Sequence, residues 1–388
     1  MQPILDCCCG VDIHKDMIEA CIIKGVEEPI FIRKQFRTFP DELQAFVLWL
    51  YENDCYHIGM ESTGVYWRPV YETIEEFSPY YESIVVSNAH NMRNLPGRKT
   101  DVKDAEWIAT LLQHGLLEPS FIPERTIRDL REFSRTYKNS ISERSRCLNR
   151  LEKFLQTHGF KLSSVLSDIN CVSGIRILTV LAEQGSLSVE DVTNAISSNT
   201  KKSATEIQSA ICGRLNPNEC FLLNDFLEQL NIIQNHIDKI LAKMKDVASP
   251  YASIIEQLDS IVGIDITAAL LILAEIGPAP QDNFKTSAHL CSWAGLSPRN
   301  DQSAGKIKSK KILPGNPYIK SILCQVSWSA VRTRKTPFGI WFWSNQGRLG
   351  KKKAIVAVSR KILSTIYYLL STGQLYDNEV ALRPYLKE

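Results

Sequence analysis

The sequence predicts an α/β domain over about its first 120 residues and a mainly helical remainder. Three observations carry this. Up to residue 122, short apolar runs alternate with helically spaced segments. From residue 123 the apolar spacing settles into steps of three, four and seven. The chain is also long, at 388 residues, with 44% apolar and 23% charged residues, enough for more than one core. That composition excludes a disordered tail protein and a collagen-like chain.

Residues 5–11 (Leu-Asp-Cys-Cys-Cys-Gly-Val) read as a buried strand and residues 17–23 as its hairpin partner, with Asp12-Ile-His-Lys-Asp16 as the turn. Apolar spacing predicts a helix over residues 41–51. Residues 57–60 form a short strand ending at Glu61, followed by a helix over about 67–77 and a strand over 83–86. Thr100 opens a helix that runs to about His114 and is closed by Gly115. Eleven cysteines form no C-x-x-C pair, and Cys7, Cys8 and Cys9 sit together in an apolar strand. They read as reduced structural thiols of a cytosolic protein. The longest apolar run, residues 266–274, falls far short of the ~18 residues of a membrane span. The N-terminus lacks a basic region followed by an apolar one, so no signal peptide is expected.

In the remainder, Leu130, Phe133, Tyr137, Ile141, Leu148, Leu151 and Leu155 mark one long helix. Leu223, Leu230, Ile237 and Met244, with Phe226, Ile233 and Ile240 between them, mark a second. The two can pair as an antiparallel arm or dimerise; both readings stay open. Several short helices are expected between them, over residues 171–215. Val172-Ser-Gly-Ile echoes Ile261-Val-Gly-Ile, each leading to a helix that ends in Ala-Glu-x-Gly. The second copy is similar to a phosphate-binding helix-hairpin-helix turn, with Asp265 where a glycine is usual, or is a simple packing unit. Helices follow at about 317–332, 337–345 and 352–370, with Phe338, Trp341, Phe342 and Trp343 read as core. The expected domains are 1–122, 123–252 and 253–388.

Charge is unevenly spread. Residues 1–90 hold 15 acids and 6 bases, a balance of −9, whereas residues 299–361 hold 15 bases and the single acid Asp301, a balance of +14. Such a basic block is a polyanion footprint or a set of solvated helix faces. Lys351, Lys352 and Lys353 open the last helix, where the helix dipole disfavours cations and a bound phosphate would relieve the conflict.

Four carboxylates stand at element ends. Asp12 follows the first strand, Glu61 ends a later one, and Asp101 and Asp104 share a helix face three residues apart. Such acids can converge on one or two hard cations, and two metals about 4 Å apart activate a nucleophile and stabilise a leaving oxygen of a phosphodiester. Taken singly, the same acids are a turn residue, a cap and a solvated first turn. His14, Asp16 and His90 read as ordinary polar groups. Gln302-Ser-Ala-Gly-Lys306 puts the Ser303 hydroxyl on a small-residue turn, with Lys306, Lys308, Lys310 and Lys311 following. By itself this serine is a phosphate-contacting loop residue or a nucleophile.

In combination the motifs are specific. Gly10-Val-Asp-Ile-His-Lys15, Met60-Glu-Ser-Thr-Gly-Val-Tyr66, Arg98-Lys-Thr-Asp-Val-Lys-Asp-Ala105, Trp293-Ala-Gly-Leu-Ser-Pro298 and Gln302-Ser-Ala-Gly-Lys306 occur in this order over nearly the whole chain. Together they resemble the insertion-sequence-110 family of transposases, especially its 1111 subgroup. The resemblance implies a RuvC-like, ribonuclease-H-type mixed-sheet domain, a helical coiled-coil segment and a mainly α transposase domain. It implies that Asp12, Glu61, Asp101 and Asp104 hold Mg2+, or Mn2+ in its place, and that Ser303 is the nucleophile. It implies as partners donor and target DNA, a structured noncoding bridge RNA and further copies of the chain, as a dimer or tetramer. The implied activity is RNA-guided DNA recombination through a phosphoserine link. The rivals are a RuvC-like metal nuclease that uses water and a non-catalytic nucleic-acid-binding protein. The RNA guide rests on the resemblance alone.

If the basic third grips nucleic acid backbone, Lys351→Gln, Lys352→Gln and Lys353→Gln together flatten the log–log salt dependence of DNA binding by about 0.9 for each phosphate that is no longer neutralised. Sequence preference stays as it was. An unchanged slope in a salt titration of binding means that these lysines are only solvated.

Overall fold

The computed structural model describes residues 3–62, 64–77, 80–88, 101–298, 301–303, 306–309, 311–312 and 314–385, with side chains at 101–103, 301–303, 306–309 and 385 left out of the description. The chain divides into two units, Met1–Ile122 and Pro123–Glu388.

The first unit is mixed α/β. Strands β1 (Cys7–Ile13), β2 (Met17–Lys24), β3 (Ile30–Arg37), β4 (His57–Glu61) and β5 (Ser83–Ser87) form one sheet in the order β3-β2-β1-β4-β5. β1, β2 and β3 pair antiparallel, whereas β4 pairs parallel with both β1 and β5. Two structural features depart from the sequence expectation. Asp12 lies inside β1, paired with Glu19, because the hairpin closes later, where His14 N–H donates to the Met17 carbonyl at 2.9 Å. β3 was not expected at all. As an edge strand it carries Arg33, Lys34, Gln35 and Arg37 among its apolar residues, and only Phe36 is fully buried.

Side chains of a strand alternate between faces, and the two faces of this sheet are covered differently. Cys9, Val11 and Ile13 pack with Ile58, Met60 and the helices Pro40–Glu52 and Trp67–Glu76 in one core. Cys8 faces the other way, into a smaller core with Ile108, Ala109, Leu111 and Leu112 of the helix Asp101–Gln113. The consecutive cysteines are thus split between two cores, and all eleven cysteines are free thiols.

That helix comes very close to the sheet. A Cβ added at Gly10 would lie 2.2 Å from both the Ala105 carbonyl oxygen and the Ala109 nitrogen. One added at Gly59 would lie 2.8 Å from Leu117 Cδ1. Glycine in β1 is therefore a packing requirement, with backbone lying directly on backbone. Arg33 on β3 holds the helix from the side through Glu106, Nε to Oε1 at 2.6 Å. Gly115, with φ of +67°, ends the segment.

The second unit is helical. The helices Arg125–Thr157 and Pro217–Val247 run antiparallel, joined across the pair by Arg144–Gln234 at 2.6 Å and Arg150–Gln229 at 3.3 Å. Within one chain the pair is an intramolecular arm. Short helices Val172–Gln184, Val189–Ala195 and Ala204–Ala210 close its core over Leu151, Leu155, Leu223 and Leu230. The two echoing segments enter their helices differently. Gly174 lies inside the first helix, whereas Gly263 precedes Asp265, which caps Ile266–Ile276 by accepting from Ala268 N–H at 2.7 Å. That cap puts a carboxylate where a phosphate-binding turn offers bare N–H groups.

Ile266–Ile276 is buried along most of its length. The helices Ser287–Trp293, Pro317–Ala330, Pro337–Leu349 and Lys351–Thr372 complete this unit. By length and composition Lys351–Thr372 could span a membrane, but half of its apolar window is buried among its neighbours. Phe338 and Phe342 are core as expected. Trp343 departs from that reading, being 39% exposed with the Arg334 guanidinium 4.1 Å from its ring centroid.

Gly10→Ala forces a methyl group into helix backbone, and overpacking of this kind costs about 1–3 kcal/mol. The substitution should lower the unfolding midpoint in urea, whereas Gly347→Ala, at a glycine with nothing within 4 Å, should not. Equal midpoints for the two variants would show that the helix does not rest on Gly10.

Candidate active site

The candidate carboxylates Asp12, Glu61 and Asp104 are placed by the close approach of helix to sheet. Asp12 lies two residues after Gly10 on β1, and Glu61 two residues after Gly59 on β4. Both therefore belong to the face that the helix Asp101–Gln113 covers. The parallel register pairs Gly10 with Gly59 and Val11 with Met60, which brings Asp12 level with Glu61 at the C-terminal ends of both strands. Asp104 lies one turn before Ile108, on the buried stripe of the helix and at the same end of the sheet. Asp101 begins the helix; its side chain lies outside the described residues.

Electrostatics ties the three described acids together. Burial pushes the Asp12 carboxyl above its ordinary value, His14 opposes that shift, and the Asp104 and Glu61 carboxylates add to it. His14 Nε2 lies 3.3 Å from Asp12 Oδ2. His14 was read from sequence as an ordinary turn group. Its role was visible only as an i, i+2 spacing from Asp12 at a strand end. Among the described residues no three His, Cys, Asp or Glu side chains stand close enough to hold a metal ion as a ready-made group. The donor set nonetheless consists of hard carboxylate oxygens, and Asp12 in particular gains from a nearby positive charge.

Ser87 also escaped the sequence reading. The β4–β5 register pairs it with Glu61, it is fully buried, and among the described residues its hydroxyl has no hydrogen-bond partner. No pattern in the sequence marks it. Asp16 stays in the hairpin turn, its carbonyl accepting from Thr38 N–H at 3.3 Å, and His90 lies outside the described residues.

In the second unit a separate hairpin carries Ser303. β6 (Asp301–Ser303) pairs antiparallel with β7 (Lys306–Ser309), and Ser303 stands opposite Lys306 at the hairpin tip. Lys308 lies further along β7, Lys310 is outside the described residues, and Lys311 is exposed. Below the hairpin, Pro298 bridges to Ile312. Lys351, Lys352 and Lys353 are exposed at the start of Lys351–Thr372, a helix with no side-chain cap.

The geometry supplies three carboxylates at one end of a sheet face and, separately, a hairpin whose backbone register sets Ser303 opposite Lys306. A family profile for a transposase of the DEDD, IS110 type matches residues 9–160, and one described as the transposase IS116/IS110/IS902 family matches residues 255–338. A protein of Sinorhizobium fredii named as a transposase, y4rJ, is 29% identical over 132 residues, 30% of this chain and 33% of that protein. The 43.6 kDa protein of insertion element IS110 from Streptomyces coelicolor is 25% identical over 126 residues, 32% of this chain and 30% of that protein. The chain thus spans about a third of the length of these relatives. With the acidic unit matched by the first profile and the Ser303 hairpin falling within the second, in the same order along the sequence, the chain belongs to the IS110 family of transposases.

Proposed function

We propose that this protein is a DNA transposase that cuts and rejoins strands through a phosphoserine link at Ser303, with Asp12, Glu61, Asp101 and Asp104 as its divalent-metal ligands. The observation that carries the metal half is the placing of Asp12, Glu61 and Asp104 at one end of a single sheet face, with Asp12 held above its ordinary proton affinity by burial and by the other two acids. Mg2+, or Mn2+ in its place, supplies charge for the departing oxygen and a more acidic attacking hydroxyl.

The chain's own residues do the rest. The Ser303 hydroxyl attacks a DNA phosphorus, so that an Oγ–P bond forms while the bond to the 3′ oxygen breaks. The hydroxyl proton leaves to a base, and the released 3′ oxygen takes up a proton. In the second step an incoming 3′-hydroxyl attacks the same phosphorus, loses its proton and returns Ser303 to its starting form. Bond energy is conserved in the phosphoserine, so no nucleotide hydrolysis is called for. Lys306, Lys308, Lys310 and Lys311 around the hairpin, and Lys351, Lys352 and Lys353, serve as phosphate contacts.

Within this reading, residues 1–122 are a RuvC-like catalytic domain, 123–252 a coiled-coil segment and 253–388 the transposase domain. A bridge RNA choosing donor and target DNA, and assembly as a homo-oligomer, rest on the family resemblance.

Two experiments test the chemistry. Ser303→Ala should still bind DNA but leave no protein–DNA adduct after denaturation. Free nicked product with no adduct from the wild-type protein would favour the water-using nuclease, and an adduct from Ser303→Ala would move the nucleophile elsewhere. The acids are tested by heat as well as by activity. With its proton affinity raised in the folded state, Asp12 favours folding fully below the ordinary carboxylate range, and that contribution is lost as pH rises through the raised value. A cation bound only by the folded state restores stability by mass action. Mg2+ should therefore raise the melting temperature more at pH 8 than at pH 5. Asp12→Asn should melt higher than wild type in metal-free buffer at pH 8, gain little from Mg2+ and lose recombination. A full Mg2+ increment in Asp12→Asn removes it from the ligand set.

A further inference from the structure

Within the second unit, one carboxylate is fully enclosed. Glu275, the next-to-last residue of Ile266–Ile276, is 0% exposed. It stands at a helix C-terminus, where the dipole already disfavours an anion. Its oxygens are matched one by one. Arg135 Nε donates to Oε1 at 3.1 Å and its Nη2 to Oε2 at 3.2 Å, while Asn316 Nδ2 donates to Oε2 at 2.6 Å. Arg131 donates to the backbone carbonyls of Ala274 and Glu275, at 3.1 and 2.7 Å. The guanidinium of Arg135 also lies 4.3 Å from the ring centroid of Tyr318.

Asn316 has two jobs in this cluster. Its Oδ1 accepts from the N–H groups of Tyr318 and Ile319, at 2.9 and 3.2 Å, and so caps Pro317–Ala330. Its Nδ2 ties that cap to Glu275. Asn316 also ends the segment that carries Ser303. One stem of that segment is Gly295 and the other Gly315, and they touch: a Cβ on Gly315 would lie 2.2 Å from the Gly295 nitrogen. The backbone N–H of Asn316 donates to the Trp293 carbonyl at 3.2 Å. The stems are thus clamped together, and Asn316 fastens the clamp to the buried carboxylate.

We propose that Asn316, held by Glu275, is a positioning residue for the Ser303 hairpin, fixing the direction in which the hairpin leaves the helical core. The proposal rests on the reading of Ser303 as nucleophile. A misplacement of about 1 Å at a reacting group costs on the order of 10²-fold in rate, so a loosened stem should slow adduct formation while leaving DNA affinity nearly unchanged.

The chemistry of the pair gives a sharp test. Asp is as good a helix cap as Asn, but Asn316→Asp has no N–H to give and sets a second carboxylate against Glu275. Glu275→Gln leaves Arg135 and Asn316 facing a neutral amide. The exchange Glu275→Gln with Asn316→Asp reverses the polarity of the bond, with the Gln amide donating and the Asp accepting, and keeps one carboxylate in the cluster. Asn316→Ser retains the cap but is too short to reach Glu275, which separates the link from helix stability.

Two readouts are taken at a temperature where every variant is folded by circular dichroism, the first at saturating DNA and the second on DNA-free protein. One is the rate of covalent adduct formation. The other is the rate of tryptic nicking at Lys306, Lys308, Lys310 and Lys311, which reports the hairpin without reference to chemistry. Asn316→Asp and Asn316→Ser should slow adduct formation and speed nicking, and the exchange variant should recover both relative to Asn316→Asp. Wild-type adduct and nicking rates in Asn316→Ser overturn the proposal, as does an exchange variant no better than Asn316→Asp. Faster nicking with an unchanged adduct rate also overturns it, by showing that the hairpin's direction does not govern catalysis. Failure of the nucleophile reading is separate: it appears as an adduct formed by Ser303→Ala, whatever the nicking rates.

Discussion

The contact on which the candidate acidic site depends is the meeting of two backbones at Gly10. No side chain stands between β1 and the helix Asp101–Gln113 there, so the helix descends until its carbonyls and amide nitrogens rest on the strand. Cys8, one pleat earlier on the same face, fits beneath it with its thiol 3.4 Å from the Ala109 carbonyl. The next residue on that face is Asp12. Had the helix been held off by a larger residue, Asp104 would stand further from Asp12, and its part in raising the Asp12 carboxyl would fade with distance. Gly59 repeats the device on the neighbouring strand against Leu117, Leu112 and Ile108. Close packing therefore sets the electrostatics of this end of the sheet.

The chain handles negative charge in two contrasting ways. Glu275 is enclosed, and two arginines and an asparagine answer its atoms; a buried carboxylate so matched holds helices together and has nothing left to offer a ligand. Asp12 faces one histidine and two further carboxylates. Among the described residues the two neighbouring carboxylates raise its proton affinity and only the histidine opposes them from a side chain, an imbalance that a bound cation would relieve. The partner set, more than burial, separates the enclosed acid from the candidate site's acid.

Much of the architecture was legible because it follows local rules. The long helices Arg125–Thr157 and Pro217–Val247 matched their heptad spacing, and the strands ending near Asp12 and Glu61 stood out as short apolar runs between turns. β3 was missed because an edge strand with solvent on much of both faces loses the alternation that reveals a strand. Asp12 was assigned to a turn because its charge resembles turn chemistry, whereas pairing with Glu19 carries the strand past it. Glu275 appeared in the sequence only as part of an Ala-Glu-x-Gly echo, since its partners lie 140 residues before it and 41 after.

By itself, then, the sequence determined the kinds and order of most elements, the basic character of the last third, and the motifs that mark the family. These depend on the period of apolar residues, on composition and on short spacings, all of which are local. Only the tertiary structure decided that β4 lies beside β1, that Gly10 and Gly59 bring one helix down over both, and that His14 and Ser87 stand beside the acids. It alone showed that Asn316 joins the base of the Ser303 hairpin to Glu275. Those are pairings between residues far apart in the chain. They are selected by which surfaces fit once the elements exist, and no short stretch of sequence encodes that fit.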